Sequence, residues 1–199
     1  TISAETSGTR NGGTLTVRAE NATFQNGATI TSASIDAATS AAGSVTFQGL
    51  GSPAQTLTLT DTSVLTSTNG SGQGGPITME ALNFNLTNST IATSSTGSGN
   101  AGDISINSKE VPGNIFEMWH STMSTSAALA DGGNFGIYAT NTVRLTDSII
   151  TSSVGNETKT DTLGGNVTID PQFVILQNSQ IRANAFAGSG GAIDVTSGV

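Results

Sequence analysis

The stretch Leu145 to Ile169, LTDSIITSSVGNETKTDTLGGNVTI, contains one complete unit of this chain. Leu145 ends an alternating run that starts at Val143, and Asp147 marks a corner. A short run centred on Ile150 follows, then a polar stretch from Val154 to Leu163, and Gly164-Gly165 opens a new run at Val167 and Ile169. In an extended strand successive side chains point to opposite faces, so apolar residues two apart share one face. The Ser, Thr, Asn and Gly clusters between the runs are loop composition. Each run is too short to bury its apolar side alone.

The same order recurs along the whole sequence. A small-residue pair stands at Gly12-Gly13, Ala42-Gly43, Gly74-Gly75, Ala101-Gly102, Gly132-Gly133, Gly164-Gly165 and Gly190-Gly191, at intervals of 26 to 32 residues. Each pair precedes a first strand: Leu15/Val17, Val45/Phe47, Ile77/Met79, Ile104/Ile106, Phe135/Ile137, Val167/Ile169 and Ile193/Val195. A second strand follows at Ala22/Phe24, Leu57/Leu59, Phe84/Leu86, Phe116/Met118, Val143/Leu145 and Val174/Leu176. A third, shorter strand centres on Ile30, Leu65, Ile91, Met123, Ile150 and Ile181. Repeats of this length that cannot bury their own faces must stack on one another. The expected fold is an all-β, right-handed parallel β-helix of about six to seven coils, with three short strands per coil. It runs over 1–199 as a single segment, with coils starting near 13, 43, 75, 102, 133, 165 and 191 and incomplete coils at both ends. The Gly pairs are expected where the backbone turns tightly or takes a positive φ.

Composition narrows the function. Of 199 residues 35% are hydrophobic and 10% charged, with 25 glycines and no cysteine. Six Lys+Arg against fourteen Asp+Glu leave a net charge of −8. Nucleic-acid binding needs a basic stripe to displace counterions, and none is present. No apolar run reaches the roughly 18 residues of a membrane helix, so no membrane insertion is expected. Disulfide and thiolate chemistry are excluded with cysteine, and one histidine offers little to zinc. The Gly-Gly-x-Gly-x-Asp nonapeptide of calcium-binding β-rolls is missing. No cofactor or metal site is assigned.

Catalysis on a β-helix wants paired carboxylates on one face. Outward residues of the first strand read Thr16, Thr46, Thr78, Ser105, Gly136, Thr168, Asp194 in one column and Arg18, Gln48, Glu80, Asn107, Tyr138, Asp170, Thr196 in the next. Asp170 and Asp194 are the nearest approach to a pair, diagonal and without a Lys or Arg beside them on that sheet, so no enzyme is read here. Asn26, Asp61, Asn88, Asp147 and Asn178 sit two residues past the second strand, with His120 in the same column. They read as a structural corner ladder in which stacked side chains bond one another and the turn backbone. Outward residues of the third strand read Thr29/Thr31, Val64/Thr66, Thr90/Ala92, Thr122/Ser124, Ile149/Thr151 and Gln180/Arg182. That array is too broken for the threonine lattice of an ice-binding face.

One coil stands apart. Lys109 to His120, KEVPGNIFEMWH, concentrates charge and holds the sole tryptophan. Aligned with its neighbours, it turns Phe116 and Met118 inward and Glu117 and Trp119 outward. Trp119, Glu117, Tyr138 and Arg144 are therefore the candidate binding residues, for a glycan or a protein contact. The variable loop from Val154 to Gly165 is a second candidate contact.

The segments Leu86 to Gly102 (LTNSTIATSSTGSGNAG), Leu145 to Ile169 and Phe173 to Val195 (FVILQNSQIRANAFAGSGGAIDV) resemble filamentous-haemagglutinin-like exoproteins of two-partner secretion systems, most of all cyanobacterial-type repeats. The resemblance covers the whole chain. It implies a secreted, cell-surface or extracellular fibre used in adhesion or aggregation, exported through an outer-membrane transporter. Partners implied are other copies of the chain, end to end or side by side, and glycans or host and neighbour cell surfaces. The chain lacks the amino-terminal secretion domain of that family and is expected to be a fragment or a processed product. The alternative is a carbohydrate-binding, less readily carbohydrate-cleaving, module centred on Trp119.

Overall fold

The computed structural model describes residues 1–35, 39–51, 53–155 and 161–197. All of its strands pair in parallel, each with the equivalent strand of the neighbouring coil, and no helix occurs among the described residues. The chain is a parallel β-helix of about six coils.

Three sheets run along the axis. The first stacks Leu15–Arg18, Val45–Gln48, Ile77–Met79, Ile104–Ile106, the start of Phe135–Thr146, Val167–Asp170 and Ile193–Val195. The second stacks Asn21–Phe24, Ala54–Thr60, Ala81–Thr87, Gly113–Trp119, the end of Phe135–Thr146 and Phe173–Gln177. The third stacks Ile2–Thr6, Thr29–Ser34, Ser63–Thr68, Thr90–Ser95, Thr122–Ala127, Ile149–Val154 and Gln180–Ala185. Like residues align in unbroken axial rows: Leu15, Val45, Ile77, Ile104, Phe135, Val167 and Ile193 form one. Ala22, Leu57, Phe84, Phe116, Val143 and Val174 form another. At roughly 4.8 Å between coils, each side chain packs on its counterparts above and below, so the core is a stack and not a globular centre.

The glycine corners do not rely on a positive φ. Among the described residues Gly27 is the one glycine with a positive φ, at 75°. The paired glycines are required by close approach: a Cβ on Gly133 would overlap the carbonyl of Gly102, and one on Gly75 would overlap that of Gly43. Buried hydroxyls of the third sheet reach these corners from inside. Thr93 Oγ1 donates to the Gly102 carbonyl at 2.5 Å, Thr125 Oγ1 to that of Gly133 at 2.7 Å, and Ser32 Oγ to that of Gly13 at 2.8 Å. Buried carbonyls left without water need such partners.

Two inside/outside assignments are corrected by the register. Val64 pairs with Ile30 and Ile91, and is fully buried, so Leu65 faces outward. The outward residues of that strand are thus Ser63 and Leu65, in place of Val64 and Thr66. The inward Thr66 hydroxyl, held to the Gly75 carbonyl at 2.5 Å, locks this register. Asn107 is also not an outward residue. It is buried with φ 59°, accepts from the Ala81 N–H at 2.8 Å and donates to the Tyr138 carbonyl at 3.3 Å, which fastens the bend between the first and second sheets. One coil has no such bend break: Phe135–Thr146 is a single 12-residue strand serving both sheets.

The corner column shares one backbone conformation, and the continuous hydrogen-bond ladder is carried by other residues. Asn26, Asp61, Asn88, His120, Asp147 and Asn178 all take φ between 47° and 59°. Asn and Asp tolerate this left-handed conformation better than other side-chain-bearing residues, which explains the column. Among their side chains the link along the axis is Asn178 Nδ2 donating to Asp147 Oδ1 at 2.6 Å, with His120 Nε2 3.7 Å from Asp147 Oδ2. The continuous ladder belongs to the next residue in each corner, Thr62, Ser89, Ser121, Ser148 and Ser179. Each hydroxyl donates to the carbonyl two residues before it and, from Ser89 onward, accepts the N–H of its counterpart one coil earlier. Ser121→Ala leaves the buried Ser89 N–H unpaired and is expected to cost about 2 kcal/mol in urea unfolding. Ser121→Thr, which reproduces Thr62, is expected to stay within about 0.5 kcal/mol.

Candidate functional site

The second sheet presents two outward rows around the atypical coil. Asn85, Glu117, Arg144 and Ile175 are paired in one; Thr87, Trp119, Thr146 and Gln177 in the other. The alternation that buries Phe116 and Met118 forces Glu117 and Trp119 to the surface. Trp119 is 56% exposed. Its axial neighbours Thr87 and Thr146 are short, so nothing in its own row covers the indole.

The indole is held from one side. His120 stacks on it with ring centroids 5.7 Å apart and an interplanar angle of 28°. His120 lies in turn beside Asp147, at 3.7 Å. In the adjacent row Arg144 Nε lies 3.6 Å from Glu117 Oε1. Both groups are close to half exposed, so this pair adds little to stability and instead sets two opposite charges side by side. Thr146 Oγ1 donates to Gln177 Oε1 at 3.3 Å. Together Asn85, Thr87, Glu117, Trp119, Arg144 and Gln177 line an open concavity of about 330 Å³.

Three of the four expected binding residues therefore meet, and the fourth does not. Tyr138 belongs to the first sheet, where it pairs with Asp170, eight residues before Thr146 on the same strand. The pairing of that strand shifts between Ala139 and Thr142, opposite Gly113 and Ile115, as it passes from one sheet to the other. Tyr138 lines a separate concavity of about 550 Å³, shared with Lys109, Pro112 and Asp170. Its ring leans over Gly136, where an added Cβ would come 3.0 Å from Cε2.

Lys109, on the loop before the second sheet, lines this second concavity together with Asp170. Asp194 does not join them; it accepts from Thr196 Oγ1 at 3.0 Å. Its lining offers one carboxylate, one ammonium and one phenol, from Asp170, Lys109 and Tyr138.

No family model, curated protein or solved structure matches this chain. Among the described residues no group of three or more His, Asp or Glu side chains is arranged to hold a metal ion, and no helix is long and apolar enough to cross a membrane. Of the loop from Val154 to Gly165, residues 156–160 lie outside the described residues. At its far end Leu163 is exposed and bridges to Ser189 of the next coil.

The hydroxyl ladder was the feature that pattern reading missed. Its signal is present as the dipeptides Asp61-Thr62, Asn88-Ser89, His120-Ser121, Asp147-Ser148 and Asn178-Ser179. In a chain this rich in serine and threonine, a hydroxyl in each corner does not stand out until the coils are superposed.

Proposed function

We propose that this chain is a structural and adhesive segment of a secreted, extracellular surface protein, non-catalytic and resembling filamentous-haemagglutinin-like exoproteins, with export through an outer-membrane transporter. The observation that carries this reading is the axial stack from Ile2 to Val195, in which each strand pairs in parallel with its counterpart in the next coil. Such a stack is a rod whose stiffness comes from stacked side chains and three continuous sheets, and a rod is a device for holding surface groups at a distance from their anchor.

The outer face of the third sheet supports association of rods with one another. From Thr29 to Ser153 its outward side chains are Ser, Thr, Ala, Leu65 and Ile149, with no charge among them. Glu5 and Arg182 flank this flat field at opposite ends. Two rods laid antiparallel across it bring the acidic end of one copy toward the basic end of the other.

Adherence tests the proposal. Beads coated with the folded chain are expected to retain bacterial or epithelial cells well above albumin-coated beads. Retention no better than the albumin control, with the chain still folded by circular dichroism, would overturn it.

A further inference from the structure

We infer that the concavity beside Trp119 binds a neutral glycan, with the sugar ring stacked on the open face of the indole. This deepens the adhesive reading, on which it rests, by naming the ligand class and the residues that hold it.

Four observations converge there. First, the indole is exposed at its row position yet braced on one side, because His120 stacks on it. A preorganised aromatic loses little side-chain entropy on binding. Second, the axial neighbours are Thr87 and Thr146, so a flat ring can approach across the coil boundaries without meeting a bulky side chain. The C–H groups of a pyranose face carry slight positive charge and meet the negative face of an indole favourably. Third, the neighbouring row offers hydroxyl-binding groups of every kind needed: a carboxylate acceptor at Glu117, a guanidinium donor at Arg144 and an amide at Asn85. Gln177 closes the indole's own row.

The fourth observation sets the charge of the ligand. Arg144 already faces Glu117 at 3.6 Å, so the site presents a balanced pair and not a free cation. The chain around it carries a net charge of −8. A sulfated or carboxylated sugar has no uncompensated positive group to meet and is repelled by the surrounding field. A neutral sugar uses both partners as donor and acceptor.

Trp119 is the sole tryptophan, so its fluorescence reports this site and no other. The intact chain is titrated with chitohexaose, cellohexaose and maltohexaose, and with a heparin hexasaccharide as the anionic probe. A saturable change with at least one neutral hexasaccharide is expected, little affected by added salt, with none for heparin. By calorimetry Trp119→Ala is expected to weaken that binding at least about tenfold, Trp119→Phe less, and the double variant Glu117→Ala/Arg144→Ala about fivefold. Circular dichroism confirms that each variant folds. No saturable response to any neutral hexasaccharide, a response to heparin alone, or binding unchanged in Trp119→Ala overturns the inference. Bead adherence that persists in Trp119→Ala removes this site as its cause and leaves the rod reading standing.

Discussion

Gly133→Ala is expected to destabilise the chain by at least about 3 kcal/mol, seen as a lower guanidinium midpoint. The added methyl has no room because it would overlap the Gly102 carbonyl, which is backbone and cannot rotate aside. Moving the coil outward would break the bonds that the Gly133 carbonyl accepts from Thr125 at 2.7 Å and Ser152 at 3.0 Å. Gly51→Ala is the control. A Cβ there meets nothing within 4 Å, and the change is expected to stay within about 0.5 kcal/mol. Equal midpoints for the two variants would contradict the close approach of coils at the glycine corner.

Phe116→Ala is expected to cost about 4 kcal/mol. Phe116 is buried in the axial row between Phe84 and Val143, and its ring centroid lies 5.3 Å from that of Phe84. Removal of the ring leaves a cavity that two rigid neighbouring coils cannot close. Each coil touches only the next, so the damage should be local. Native-state hydrogen exchange is expected to accelerate in Ala81–Thr87 and Phe135–Thr146, and to change little in Val45–Gln48. Uniform acceleration along the chain would argue against nearest-neighbour coupling between coils.

The first two sheets were legible in the sequence because each of their strands carries two inward apolar residues, and pairs such as Ile104/Ile106 and Phe116/Met118 allow only one register. The third sheet was harder. Its five middle strands bury one apolar residue and then a hydroxyl, as in Ile91 followed by Thr93. Where two apolar residues adjoin, at Val64-Leu65, hydrophobicity does not choose between them, and the register is decided by the Thr66 bond to a glycine carbonyl nine residues later. Asn107 escaped for a related reason: its polarity suggested surface, whereas two backbone partners accommodate it inside.

For the candidate site, the outward placement of Trp119, Glu117 and Arg144 follows from strand alternation alone. Tyr138 stands apart because it pairs with Asp170 in the first sheet, eight residues before Thr146, the partner of Trp119. The stacking of His120 on Trp119 was hidden, since it arises from the left-handed turn at His120 that follows the strand.

The serine and threonine hydroxyls at the corners have a consequence for how such a protein changes length. From Ser89 to Ser179 each gives to its own turn and takes from the one before, so any internal member can be followed by a copy of itself. Tandem duplication of one turn-length gene segment would lengthen the molecule by about 4.8 Å while every join finds the partner it already knows. Insertions of any other size would have to be absorbed outside the sheets, in the variable loops, which leaves the length of the molecule and its recognition chemistry free to evolve separately.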